Sequence, residues 1–372
     1  MSPKIWRVLG LMSGSSLDGL DIAFCELHWQ DAALAHWSIR HAETMPFTEE
    51  WQQVLRELPS ANGHQLIATH ARFGHYVGQL VNQFLQQYPE DPDFIASHGH
   101  TIFHFPDERT TLQIGDGAAI AATTGYPVIN DFRAMDIALG GQGAPVAPIA
   151  DRYLLPGYDF YLNLGGIANI TAHTAQRYIA FDIGGANQVL NVLAQQLNLP
   201  YDAGGAIAAS GQLNENLLTQ ANALPYHQLL YPKSLGNDWV QEQLIPVFIH
   251  FAASTADKLH TACIYTAVQI AAAIKLIIKQ ENLQQNHYKL LATGGGAHNQ
   301  FLMQCIRQAC AEVAPLEIVV PKPEIISFKE AALIALMGVL RLENMPNCIA
   351  SVTGASRDAI GGAIHQGWRK VL

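Results

Sequence analysis

Charge is scarce in this sequence. Only 14% of the 372 residues are Asp, Glu, Lys or Arg, against about 25% in an average soluble protein. The 21 basic side chains are outnumbered by 31 acidic ones, for a net charge of −10. With no basic run or stripe, nucleic acid and anionic membrane are excluded as main partners. Cysteine is scarce too. Cys25, Cys263, Cys305, Cys310 and Cys348 form no CxxC pair, and the odd count suits reduced thiols in a cytosol, not a disulfide framework. Long apolar runs are missing. The start, MSPKIWRVLGLMSGSS, offers only Val8 to Met12, short of the roughly 7–15 residues of a secretory h-region. The most apolar later run, Ala262 to Ile278, is broken by Tyr265, Thr266, Gln269 and Lys275 and falls short of the ~20 residues of a membrane span. The expectation is a cytoplasmic chain with no membrane partner.

What is present is an apolar fraction of 49% and 30 glycines, the composition of a packed globular protein. The length suggests two domains of about 100–200 residues each. Apolar strands alternate with longer helical stretches, the pattern of an α/β protein. IWRVLGLM reads as a buried strand and LDIAFCEL as its antiparallel return, joined by the polar turn SGSSLDG. Gly63 to Tyr88 reads as helix, with Leu66, Phe73, Val77, Leu80, Val81 and Phe84 at near-helical spacing. Short strands follow at FIASH and TLQIG. A second block opens at Tyr158 with a strand, a glycine turn and a strand (YDFYLNLGGIANITA), then YIAFDIGG and a helix starting near Asn187. Later, YKLLATGGGAHNQFLMQCIRQ reads as strand, three glycines and helix, and SFKEAALIALMGVLRL as an apolar helix. A strand–glycine turn–strand unit heading each half suggests a duplication.

Six segments carry candidate chemistry. In the first turn, Ser13, Gly14, Ser15 and Ser16 precede Asp18 and Gly19. Glycine admits a ligand close to backbone, and successive N–H groups with hydroxyls bind phosphate oxygens; a polar hairpin turn explains the same residues. No Walker lysine is present, and Asp18 suits a magnesium ion held through water. In AFDIGGAN, Asp182 closes an apolar strand, where open α/β sheets bind ligands. A partly desolvated carboxylate there serves as general base or caps the following helix. Three glycines in LLATGGGAHN and two in LNLGGIANIT leave room for a flat ring or a pyrophosphate, or for close helix–strand packing. In SHGHTIFHF, His98, His100 and His104 cluster without the partners of a metal site, so hydrogen bonding to structure or substrate is expected. Arg133, in DFRAMDIALGGQGAP, can grip a carboxylate or phosphate bidentately or pair with Asp136.

In order, GLMSGSSLDGLD, SHGHT, TLQIGD, DFRAMDIALGGQGAP, LNLGGIANIT, FDIGGAN, ATGGGAHN, EAALIAL and VTGAS resemble the motifs of the anhydro-N-acetylmuramic acid kinase family from first strand to last helix. The resemblance implies the two-lobed α/β fold of sugar kinases, Hsp70 and actin, with a nucleotide cleft between the domains. The expected boundaries are residues 1–128 with 350–372 for one domain and 129–349 for the other. It implies a cytoplasmic homodimer that uses ATP and Mg2+ to open a 1,6-anhydro muramic sugar and phosphorylate O6, in peptidoglycan recycling. By the same resemblance Asp182 is the general base. Ser13, Gly14, Ser15, Ser16, Asp18 and Gly19 bind the ATP phosphates, and Gly165, Gly166, Gly294, Gly295, Gly296 and Asn299 the rest of the nucleotide. His98, Arg133 and Glu330 face the sugar.

The sequence departs from the family pattern in places. Ser15 stands for Thr in the first loop, and His100 for Gln in HGQT. In FDTGPGNxxxD, Ile183 replaces Thr, Gly185 and Ala186 replace Pro-Gly, and Asn191 replaces the last Asp. These changes are expected to alter polarity beside the base. They leave open a different anhydro sugar such as levoglucosan, or a nucleotide-binding regulator without turnover, although retention of Asp182 speaks against the latter.

Overall fold

The first strand forms where Val8, Leu9 and Leu11 recur on a chain buried from both sides. In this computed structural model, which describes residues 4–14, 17–174 and 178–372, the chain divides into two units. The first is Met1–Pro156 with Phe328–Leu372, and the second is Gly157–Ser327.

The first unit holds β1 (Lys4–Ser13), β2 (Gly19–Gln30), β3 (Ala33–Pro46), β4 (Phe94–Phe105), β5 (Thr110–Ile114), β6 (Val128–Asn130) and β12 (Ala363–His365). Their order is β12-β6-β4-β1-β2-β3, with β5 against β4. The expected hairpin is there: β1 and β2 pair antiparallel from Lys4↔Trp29 to Met12↔Asp21. The expected helix spans Gly63–Gln87, started by an Asn62–Gln65 capping box. Its Phe73, Val77, Leu80, Val81 and Phe84 bury against Leu9, Leu11, Phe24 and Ile95, each contributing about 1.5–3 kcal/mol.

The second unit holds β7 (Phe160–Leu164), β8 (Ile167–His173), β9 (Tyr178–Gly185), β10 (Tyr288–Thr293) and β11 (Leu316–Val319), in the order β11-β10-β7-β8-β9. Both units repeat one plan. Three antiparallel strands (β1-β2-β3, β7-β8-β9) are followed by two parallel ones on the far side of the first (β4 and β6; β10 and β11). The shared topology is what a duplication would leave, and it extends beyond the two hairpins visible in the sequence.

The boundaries lie elsewhere than expected at 128/129 and 349/350. β6 is bound on both sides within the first sheet, parallel to β4 and antiparallel to β12. The Trp37 indole N–H donates to the Leu154 carbonyl at 2.6 Å, tying the segment up to residue 156 to β3. Ala331 to Leu336 of the helix Pro323–Leu342 are buried, and Arg341 donates to the Gly362 carbonyl at 2.9 Å. Residues 129–156 and 328–349 therefore belong with the first unit. The helix containing the apolar run 262–278 is also longer than read from sequence. It spans Thr255–Gln280, 26 residues with a peak mean hydropathy of 1.8, long and apolar enough to cross a membrane by length and composition. Leu259, Ala262, Ile270, Ile274 and Ile277 bury in the second unit's core instead.

Candidate active site

In the first unit the sheet places candidate groups at the end of β1 and along β4. Ser15 and Ser16 lie outside the described residues. Ser13 is buried, and its hydroxyl meets His100 Nδ1 at 2.9 Å across the β1–β4 pair. Gly14 accepts from the Leu17 N–H at 3.4 Å, and the Asp18 carbonyl accepts from the Phe47 N–H at 3.2 Å, so the described part of the loop folds onto the end of β3. Gly19 packs against β3, where the Met45 carbonyl leaves no space for a Cβ. Asp18 is exposed. Asp21, one residue past the hairpin's Leu20, accepts from the Thr44 hydroxyl at 2.6 Å. Burial raises its carboxyl pKa, and the charges of Asp18 and Glu330 add to that rise.

His98 and His100 part company at Gly99, whose φ of +77° kinks β4 and whose missing Cβ admits the Ile114 carbonyl. His100 bonds to β1, whereas His98 bonds to Arg133, which follows β6 in the sheet. Arg133 Nε donates to His98 Nε2 at 2.9 Å. A guanidinium only donates, so His98 must carry its proton on Nδ1, which donates to the Gly99 carbonyl at 3.0 Å. Burial and the Arg133 charge push the imidazole down to about 3, keeping it neutral. Arg133 Nη1 donates to the Gly143 carbonyl at 3.3 Å. Its alternative partner, Asp136, is engaged elsewhere: fully buried, it accepts from the Gly143 N–H at 2.8 Å and the Thr353 hydroxyl at 2.7 Å. Asp136 thus braces the bend that Arg133 leans on. Glu330 is exposed, and its charge reaches both Asp21 and Arg133. Asp18, Asp21, Arg133, His98 and Glu330 are one neighbourhood of the first unit. Among the described residues no three metal-ligating side chains form a cluster, the histidines included.

The second unit carries the other candidates. Gly165 and Gly166 turn β7 into β8, and their carbonyls accept from the N–H groups of Asn187 (3.1 Å), Ala186 (2.8 Å) and Gln188 (3.2 Å). These glycines cap the helix Asn187–Gln195 through backbone oxygens. Gly294 packs on Leu164 and Asn163, while Gly295, Gly296 and Asn299 line a cavity of about 540 Å³ with Asn187, Tyr201 and His298. Asn299 also caps the helix Gln300–Ala311, accepting from the Leu302 N–H at 2.9 Å. Asn191 faces this same cavity. The departure at 191 therefore changes the cavity's polarity, whereas the Asp182 carboxylate bonds to the segment around Leu235.

Asp182 sits half-buried on β9 opposite Asn169. One carboxylate oxygen, Oδ2, accepts from the Leu235 N–H at 2.9 Å. Its own N–H donates to the Lys233 carbonyl at 3.4 Å, and its carbonyl accepts from the Tyr226 hydroxyl at 2.7 Å. Burial raises the carboxyl pKa above the ordinary range, and the Leu235 N–H partly offsets the rise. Sequence reading missed this holding segment, residues 226–235. His227 bonds to the Tyr265 hydroxyl at 2.9 Å, and burial drives its imidazole down to about 4. Only the density of Tyr, His and Lys in PYHQLLYPKS marked the segment, and without a period that signal has no address.

The model of the family described as "Anhydro-N-acetylmuramic acid kinase" matches residues 6–367. A protein of that name from Hydrogenovibrio crunogenus is 32% identical over 98% of this chain and 99% of its own. One from Sulfurovum sp. is 33% identical over 96% and 99%, and one from Coxiella burnetii is 32% identical over 97% and 98%. With the ordered motifs, the two repeated sheets and the half-buried aspartate on β9, these matches place the chain, over essentially its whole length, in the anhydro-N-acetylmuramic acid kinase family.

Proposed function

We propose that this chain is an ATP-dependent kinase that opens the 1,6-anhydro ring of 1,6-anhydro-N-acetylmuramic acid with water and phosphorylates O6. The products are N-acetylmuramic acid 6-phosphate and ADP. The observation that carries the reading is Asp182: a carboxylate of raised proton affinity, with Oδ2 fixed by the Leu235 N–H and Oδ1 assigned to take the proton. Asp182 takes a proton from water as the water oxygen bonds to the anomeric carbon. The C1–O6 bond breaks, O6 attacks the γ-phosphorus, and the bond to the ADP oxygen breaks. Holding these atoms in line supplies most of the rate.

The reading assigns the ATP phosphates to residues 13–19 and the nucleoside to the cavity of Gly295, Gly296 and Asn299. Gly165, Gly166 and Gly294 then act by shaping its backbone walls. Asp18 and Asp21 offer hard oxygen donors near one another, which suits magnesium, an ion that takes one or two carboxylates plus substrate phosphates. Asp18 would hold the ion through water, and the charge neutralisation it would supply is that of the phosphoryl group. Arg133, with Glu330 nearby, is assigned to the sugar's lactyl carboxylate, and His98 orients the guanidinium. The proposed setting is cytoplasmic peptidoglycan recycling by a homodimer.

Turnover in water enriched in oxygen-18 tests the chemistry. The label is expected on C1 of the product and absent from the phosphate; label in the phosphate, or free phosphate without sugar product, contradicts it. His98→Ala removes the acceptor of Arg133 Nε. KM for the muramic sugar is expected to rise about tenfold, the worth of one charge-assisted hydrogen bond, with kcat within about threefold. An equal KM rise for a substrate lacking the carboxylate would detach Arg133 from that role.

A further inference from the structure

The contact between Ser13 and His100 joins two groups of different expected standing: a phosphate-loop hydroxyl and a histidine on the next strand. Both are buried, Ser13 at 4% and His100 at 5% exposure, and they face each other across β1 and β4 at 2.9 Å. The ring is wedged edge-on against Phe73, centroids 6.4 Å apart, and Gly99 sets its direction through a left-handed φ. Burial lowers the imidazole pKa, so the ring is neutral near pH 7 and has a choice of two tautomers.

Resting on the phosphate-loop reading above, we propose that His100 is a positioning residue that holds the Ser13 hydroxyl as a donor to the nucleotide phosphates. A phosphate oxygen can only accept, so Ser13 must give it the O–H. The serine oxygen is then free to accept, and His100 must present its proton on Nδ1. In the other tautomer Ser13 donates to Nδ1, and its hydrogen is lost to the phosphate. Nucleotide binding therefore selects the Nδ1–H form. His100 acts on ATP through Ser13 alone, without touching it.

The test is a double-mutant cycle on ATP affinity, measured by calorimetry on the full chain, with circular dichroism checking each fold. Ser13→Ala and His100→Ala are each expected to weaken ATP about tenfold, and the double variant no further than either. His100→Gln, whose amide can donate to Ser13, is expected to recover most of the loss. Ring nitrogen-15 shifts of wild-type protein, with the His100 signal assigned by its absence from His100→Gln, are expected to show Nδ1–H with an ATP analogue bound. Losses that multiply in the double variant, an unaffected Ser13→Ala, or an Nε2–H ring in the complex would each overturn the inference while leaving the kinase reading intact. Failure of the wild-type chain to bind ATP would overturn both.

Discussion

Asp182→Asn is expected to lower kcat about 10³-fold, within the usual range for removing a general base, while ATP binds with wild-type affinity. The substitution is chosen because it changes one thing. Asparagine keeps the shape, and its carbonyl oxygen can still accept from the Leu235 N–H that now holds Oδ2 at 2.9 Å. The backbone bonds of residue 182 to Tyr226 and Lys233 are untouched. What is lost is the proton affinity of the carboxylate. The pH dependence follows with a definite sign. A base must be deprotonated to act, and burial raises this carboxyl, so kcat falls as pH drops through a value above the ordinary carboxylate pKa of about 4. An acid limb at the ordinary value, or full turnover by the Asn variant, would remove Asp182 from the mechanism.

Gly10→Ala is expected to be the most damaging single methyl group in the first unit. Gly10 lies mid-way along β1, and a Cβ there would be driven into the backbone carbonyl of Ala331, with the Ala335 nitrogen only 3.0 Å away. Backbone inside the buried helix Pro323–Leu342 cannot rotate aside as a side chain can, so the strand or the helix must shift. Overpacking of this kind costs about 3 kcal/mol, roughly 6–12 °C of melting temperature for a unit of this size. Gly63→Ala is the control. Nothing lies within 4 Å of the Cβ it would gain, and the change is expected to leave the melting temperature within about 2 °C or raise it. Equal melting curves for both variants would show that the β1–helix contact is looser than drawn.

Much of this is legible in the sequence. The β1–β2 hairpin, the helix Gly63–Gln87 and the glycine turns after β7 and β10 carry their own local signals: apolar runs, capping residues and turn glycines. The α/β class and the division into two units followed from them. β3 was missed because Ala33–Pro46 is an edge strand with almost no buried residue, and its HWSIRHAET has no alternation to read. The boundaries were missed because what binds residues 129–156 and 328–349 to the first unit is remote in sequence: β6 with β12, and Arg341 with Gly362. For the same reason Arg133 and Glu330 fall in the unit that carries the hairpin, and not in that of Asp182. The candidate site shows the same divide. Asp182 announces itself by following an apolar run and preceding two glycines, although β9 runs on through both to Gly185 instead of ending at the aspartate. Tyr226, Lys233 and Leu235, which hold it, sit 44 to 53 residues away along the chain.

The substitutions around Asp182 and at Asn191 make the substrate the central claim to test. The measurement is ADP release by the full chain with ATP and magnesium, with 1,6-anhydro-N-acetylmuramic acid, with levoglucosan and with no sugar. The account predicts rapid release with the muramic sugar and only background release in the other two. Release with levoglucosan and not with the muramic sugar, or at one rate in all three, would contradict it.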